Sequence, residues 1–134
     1  MIRLFWKKRR RKRSAKTQQS KARSKQKEQA RKLARGYICQ RVEYYSECHG
    51  FAYNRVFIRC QRTRWGSCSS KKNLNFNMQL MLLREELVDY VVIHELCHTR
   101  HLNHSRDFWA EVERIIPNYK ELRKELRKTE IRLV

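Results

Sequence analysis

The stretch HELCHTRHLNH, residues 94–104, gathers four of the chain's five histidines. On a helix, His94 and His98 lie about 40° apart around the axis and about 6 Å along it, so both rings converge on one ion. Glu95 stands beside His94, where a carboxylate can serve an ion-bound water without being a ligand. This H-E-x-x-H spacing supplies two imidazole ligands and a general base, and the ion it suits is Zn2+. The expected chemistry is hydrolysis of a polarised carbonyl by metal-activated water, with Glu95 taking the proton and passing it to the leaving amine.

A catalytic zinc wants a third protein ligand and an open position. His101 falls on nearly the same face as His94 but about 10 Å farther along an unbroken helix, too far to share an ion. His104 reaches it if the chain turns back after His101, and Asn103 suits that turn because it tolerates the left-handed conformation. His104 is therefore the expected ligand. His101 is left to support the site, face solvent or face substrate. Arg62, Arg64 and His101 are candidates for stabilising the oxyanion, and spacing does not choose among them. Cys97, inside the motif, lies about 300° around the helix from His94 and cannot join a closed structural site.

Positioning these groups requires a helix that is itself held. From Arg84, REELVDYVVIHELCHTRHL sets acids early, where they suit the positive helix end, and is apolar nearly all round, as in a buried helix. Leu87, Tyr90, Val91, His94, Glu95 and His98 share one face. Upstream, Ala30, Leu33, Ala34, Tyr37, Ile38, Val42 and Tyr45 recur at three- and four-residue steps and predict an amphipathic helix ending near Gly50. Alternation around Val56, Ile58 and Cys60 and again in NLNFN predicts two antiparallel strands, about 55–64 and 73–78, joined across GSCSSKKN. Ser105 predicts the N-cap of a further helix carrying Phe108, Trp109 and Val112, ended by Pro117. Asn118 and Glu121 have capping-box spacing for a last one.

Charge is unevenly spread. Of 134 residues, positions 1–35 hold 16 of the 33 Lys/Arg against one of the 13 acids, a net of +15 within the chain's +20. Such a segment buries too little apolar surface to offset its ordering entropy, and predicts a disordered or loosely helical tail, with a folded domain over 36–134. The run KKRRRKR would attract phosphates, so nucleic acid is a candidate partner. The odd count of five cysteines, with no C-x-x-C pair, and the short apolar patch at the N-terminus predict a reducing cytoplasm. No run approaches the ~18 apolar residues of a membrane span.

Taken together, RTRWGSCSSKKNLNFN (62–77), DYVVIHELCHTRHLNH (89–104) and HSRDFW (104–109) resemble the YgjP-like family of metal-dependent hydrolases, kin of the SprT-like and WLM metallopeptidases, all zincins. The resemblance extends from about Glu28 to Leu133. It implies an α+β fold in which a small antiparallel sheet packs on the HExxH helix, flanked by further helices. It implies zinc on His94, His98 and His104, Glu95 as base, and a protein or peptide substrate. It also implies that RWGSC lies near the cleft, beside a strand able to take an extended peptide. Two features depart from the family pattern. LLREEL replaces the usual proline before the active-site helix, and a basic tail replaces a larger N-terminal region. The alternative to a zinc metallopeptidase is a nucleic-acid-binding protein with a structural or vestigial zinc site, or a SprT-like protease held on DNA by its tail.

Overall fold

The stepped recurrence of Ala34, Ile38 and Val42 becomes a fully buried stripe on α1 (Ile2–His49). The computed structural model describes the backbone of residues 2–131 and the side chains of residues 14–131. The side chains of the polybasic run at 7–13, and residues 132–134 at the end of the family resemblance, lie outside the described residues. The chain divides into two units between Lys32 and Leu33. In the first, every side chain from Ser14 to Gln29 on α1 is exposed. The second begins where α1 acquires its buried face.

Gly50 ends α1 at φ +68°, a conformation that costs glycine nothing because it has no Cβ. The Phe51 amide then donates to the Ser46 carbonyl (3.1 Å), satisfying one of the helix's last acceptors as in a Schellman motif.

The sheet corrects the expected topology. β1 (Val56–Arg59) pairs in parallel with β3 (Leu74–Asn77), and β2 (Gly66–Cys68) pairs antiparallel with the other side of β3. The order is β1-β3-β2, so the expected 55–64 strand stops at Arg59. Beyond Arg59, the side-chain amide of Asn77, 1% exposed, donates to the carbonyls of Gln61 (2.8 Å) and Arg64 (3.1 Å). The Asn77 Oδ1 meanwhile accepts from the Gln79 amide (3.0 Å) and caps a short 3-10 turn over Met78–Leu82.

α2 (Glu85–His98) is the buried helix: Val88, Val92, Ile93, Leu96 and Cys97 have no exposed surface. It packs against β2, α3 (Arg106–Ile115) and α4 (Tyr119–Lys128). Its first turn has no side-chain cap but holds Glu85 and Glu86, whose negative charge suits the positive end of the helix dipole. Arg41 of α1 forks onto Asp89 with its Nε (2.8 Å) and Nη2 (2.7 Å), and the Tyr45 hydroxyl donates to the same carboxylate (2.9 Å). This bidentate pair, with both side chains largely buried, fixes α1 on α2 across 48 residues of sequence. Ser105 caps α3 as expected, its Oγ accepting from the Phe108 amide (3.3 Å). Asn118 precedes α4 without a side-chain cap, and its backbone carbonyl takes the Glu121 amide instead (3.1 Å).

Among the described residues all five cysteines are free, and no helix is long and apolar enough to cross a membrane.

Candidate metal centre and cleft

The last turn of α2 presents His94 and His98, and the chain turns back to bring His104 to them. The three Nε2 atoms form a near-equilateral triangle: 3.2 Å from His94 to His98, 3.1 Å from His98 to His104 and 3.2 Å from His94 to His104. Ligand atoms about 2.0–2.1 Å from a tetrahedral ion lie about 3.3 Å from one another. The spacing therefore fits an ion held by three imidazoles with one position left open, and these residues can hold a metal.

The return loop is made differently from expectation. Asn103 does not take a positive φ; among the described residues only Lys72 and Gly50 do. The turn instead starts with the Thr99, Arg100 and His101 amides bonding back to carbonyls of Leu96 and Cys97. The His101 carbonyl lies 2.9 Å from His98 Nδ1. A carbonyl only accepts, so Nδ1 carries the proton and the lone pair is on Nε2, facing the triangle. The His101 ring points elsewhere, with Nε2 2.8 Å from Glu111 Oε2. Glu111 also pairs with Arg100, whose Nη2 donates to the His49 (2.9 Å) and Gly50 (2.8 Å) carbonyls. The return loop is thereby tied to both α3 and the end of α1.

Two aromatic side chains of α3 hold the imidazoles in place. Phe108 stacks on His98 (centroids 4.5 Å apart) and meets His94 and His104 edge-on, and Trp109 stacks on His104 at 5.7 Å. In the sequence both belong to the apolar face of their helix, with nothing but their spacing after the Ser105 cap to mark them as part of the site. Burial, then the two neighbouring imidazoles, then Arg123, push the His94 ring down to about 3, so it stays neutral with a free lone pair. His104, more exposed, is lowered by the same kinds of cause.

Glu95, one position along α2, is 5% exposed, and burial raises its carboxyl to about 8 against a smaller lowering by Arg64. Gly66 on β2 is what lets the strand approach it. A Cβ there would stand 3.1 Å from Glu95 Cγ and Oε1 and 3.2 Å from the Asn75 carbonyl. This is where RWGSC meets the site.

A cleft of ≈ 490 Å³ opens over His94 and Glu95. The 62–66 segment, Tyr90 and α4 with its following residues line it. Of the three candidates for the oxyanion, Arg62 and Arg64 line this cleft, whereas His101 is engaged by Glu111. Tyr90 was not singled out; burial pushes its hydroxyl up to about 12, against Arg123 and Arg127, so it remains a proton donor at neutral pH.

Residues 2–129 match the family description "YgjP-like, metallopeptidase domain". Among solved structures, the chain is similar to the metallopeptidase zymogen of Pyrococcus abyssi abylysin, at 27% identity and TM-score 0.60, over 66% of this chain and 90% of that one. It also shares its fold with the metallopeptidase zymogen of Methanocaldococcus jannaschii jannalysin, at 22% identity and TM-score 0.58, over 68% and 94%. No curated protein matches.

Proposed function

The chain belongs to the YgjP-like metallopeptidase family, and on that premise we propose that it hydrolyses peptide bonds as a zinc enzyme, with His94, His98 and His104 as ligands and Glu95 as general base. Carrying this reading is the triangle of imidazole nitrogens at tetrahedral-ligand spacing, set beside a buried carboxylate. Three imidazole nitrogens with no cysteine among them suit an open, catalytic zinc site better than a closed structural one. When bound, the ion polarises the substrate carbonyl and lowers the pKa of water into the neutral range.

The chain's own residues do the rest. Glu95 accepts the proton of the attacking water at its carboxylate and returns it to the leaving amine. Burial raises its proton affinity and so strengthens it as a base, and a cation held by the neighbouring imidazoles would lower its pKa again. Gly66 keeps β2 close enough to exclude bulk water from one side of Glu95. Arg62, Arg64 and the Tyr90 hydroxyl are the donors in the cleft wall for the charge developing on the carbonyl oxygen.

The test is cleavage of an unfolded protein such as casein by the full chain. Activity should disappear with a zinc chelator and return with about one equivalent of Zn2+ per chain. Cleavage that survives complete metal removal would sink this reading.

We further propose that the basic part of α1 attracts polyanions, nucleic acid among them. Lys16, Lys21, Arg23, Lys25 and Lys27 are all exposed there. Changing these five to Gln in the full chain should weaken binding to single-stranded DNA or RNA at least about tenfold at low salt and flatten its salt dependence. Unchanged affinity would remove nucleic acid as a partner of this segment.

A further inference from the structure

The cleft over His94 and Glu95 carries more positive charge than one developing oxyanion calls for. Among the described residues four arginines line it, from two separate stretches of the chain. Arg62 and Arg64 come from the segment between β1 and β2, and Arg123 and Arg127 from α4. Among the described residues the only acids in the lining are Glu95 itself and Glu130. Resting on the peptidase reading, we propose that this wall selects peptides bearing a carboxylate close to the scissile bond.

Several guanidiniums elsewhere in the second unit are held by acids. Arg41 pairs with Asp89, Arg84 with Glu86 and Glu125, and Arg100 with Glu111. Among the described residues, none of the four cleft arginines has a carboxylate within ion-pair distance. Unpaired guanidiniums concentrated in a concave, partly low-dielectric site attract an anion and repel a cation. Their planar fork matches a carboxylate with two parallel hydrogen bonds, which lysines would not do as well.

Both pairs are mounted on held backbone. The carbonyls of Gln61 and Arg64 are pinned by the Asn77 amide, so the 62–64 segment does not depend on a strand ladder. Arg123 and Arg127 are four apart on one helix and so share a face. The Arg123 guanidinium lies over the Trp109 ring, 4.8 Å from its centroid, and that ring in turn stacks on His104. The anion site is thus coupled by packing to the metal centre, which would register a bound carboxylate against the reacting bond.

A carboxylate near the scissile bond has two sources in a peptide, an Asp or Glu side chain and the free C-terminus. Fluorogenic peptides with Glu, Gln or Lys at the positions flanking the cleaved bond, each made with a free and an amidated C-terminus, separate them. With the zinc-loaded full chain, kcat/KM should favour Glu over Gln by about tenfold at low salt, with Lys slower still. The ratio should shrink as salt rises. If the terminal carboxylate is the anion recognised, the preference appears as free over amidated instead. In the Arg123→Gln/Arg127→Gln variant either preference should fall below about threefold, a change in selectivity that a general loss of stability would not produce.

Equal rates on Glu, Gln and Lys peptides with both kinds of C-terminus would overturn this inference and leave the peptidase reading standing. Failure to cleave any peptide would overturn both.

Discussion

Glu95→Gln is expected to lower kcat/KM on any cleaved peptide by about 10³-fold, within the range that general-base catalysis supplies, while the protein keeps its fold and its metal. The amide is nearly isosteric with the carboxylate, and the site around it is tight. Glu95 is 5% exposed, with the backbone of β2 brought against it at Gly66. Removing an ionisable group from such a place costs the fold little, because burial already penalises its charged form. None of the three imidazoles depends on it for a hydrogen bond: His98 Nδ1 is satisfied by the His101 carbonyl, and the rings rest on Phe108 and Trp109. What the amide cannot do is accept a proton. The measurement is steady-state hydrolysis together with zinc content by mass spectrometry. Near-wild-type turnover by a zinc-loaded Glu95→Gln protein would assign the base to another group.

The helix carrying H-E-x-x-H could be read from sequence because its signal is local. Periodicity, early acids and the H-E-x-x-H spacing all lie within Glu85–His98, and the fold buries that segment as its composition requires. The Ser105 cap was legible for the same reason. Long-range side-chain contacts were not. Asn77 looks like one more strand residue in NLNFN, yet its amide holds the 61–64 segment that joins β1 to β2. The Arg41–Asp89 fork joins residues 48 apart, and no pattern within either helix announces it. The imidazole platform of Phe108 and Trp109 looked like an ordinary apolar stripe, because core and site share that face of α3. Asn103 was expected to turn the chain through a left-handed conformation. Backbone bonds at Thr99–His101 begin the reversal instead, so a residue's tolerance for a conformation did not mean the turn used it.

Those bonds bear on the second large effect, the different fates of two histidines only three residues apart. His104→Ala removes a nitrogen that stands 3.1 and 3.2 Å from its two neighbours, leaving two imidazoles on one helix. Two ligands hold a zinc ion far more weakly than three, so affinity should fall by more than the roughly 10–100-fold that loss of a supporting group costs. His101→Ala removes a ring that contacts Glu111, not the triangle, and keeps the backbone carbonyl that orients His98. Zinc should survive that change. The two variants therefore separate ligand from neighbour without relying on a substrate.

The measurement that bears most directly on the metal centre is zinc per chain, by mass spectrometry, in wild type, His104→Ala and His101→Ala purified side by side. One zinc in wild type and in His101→Ala, with loss in His104→Ala, is the predicted result. Full zinc in a folded His104→Ala protein, or its loss from His101→Ala alone, would contradict the assignment of His94, His98 and His104 as the ligand set.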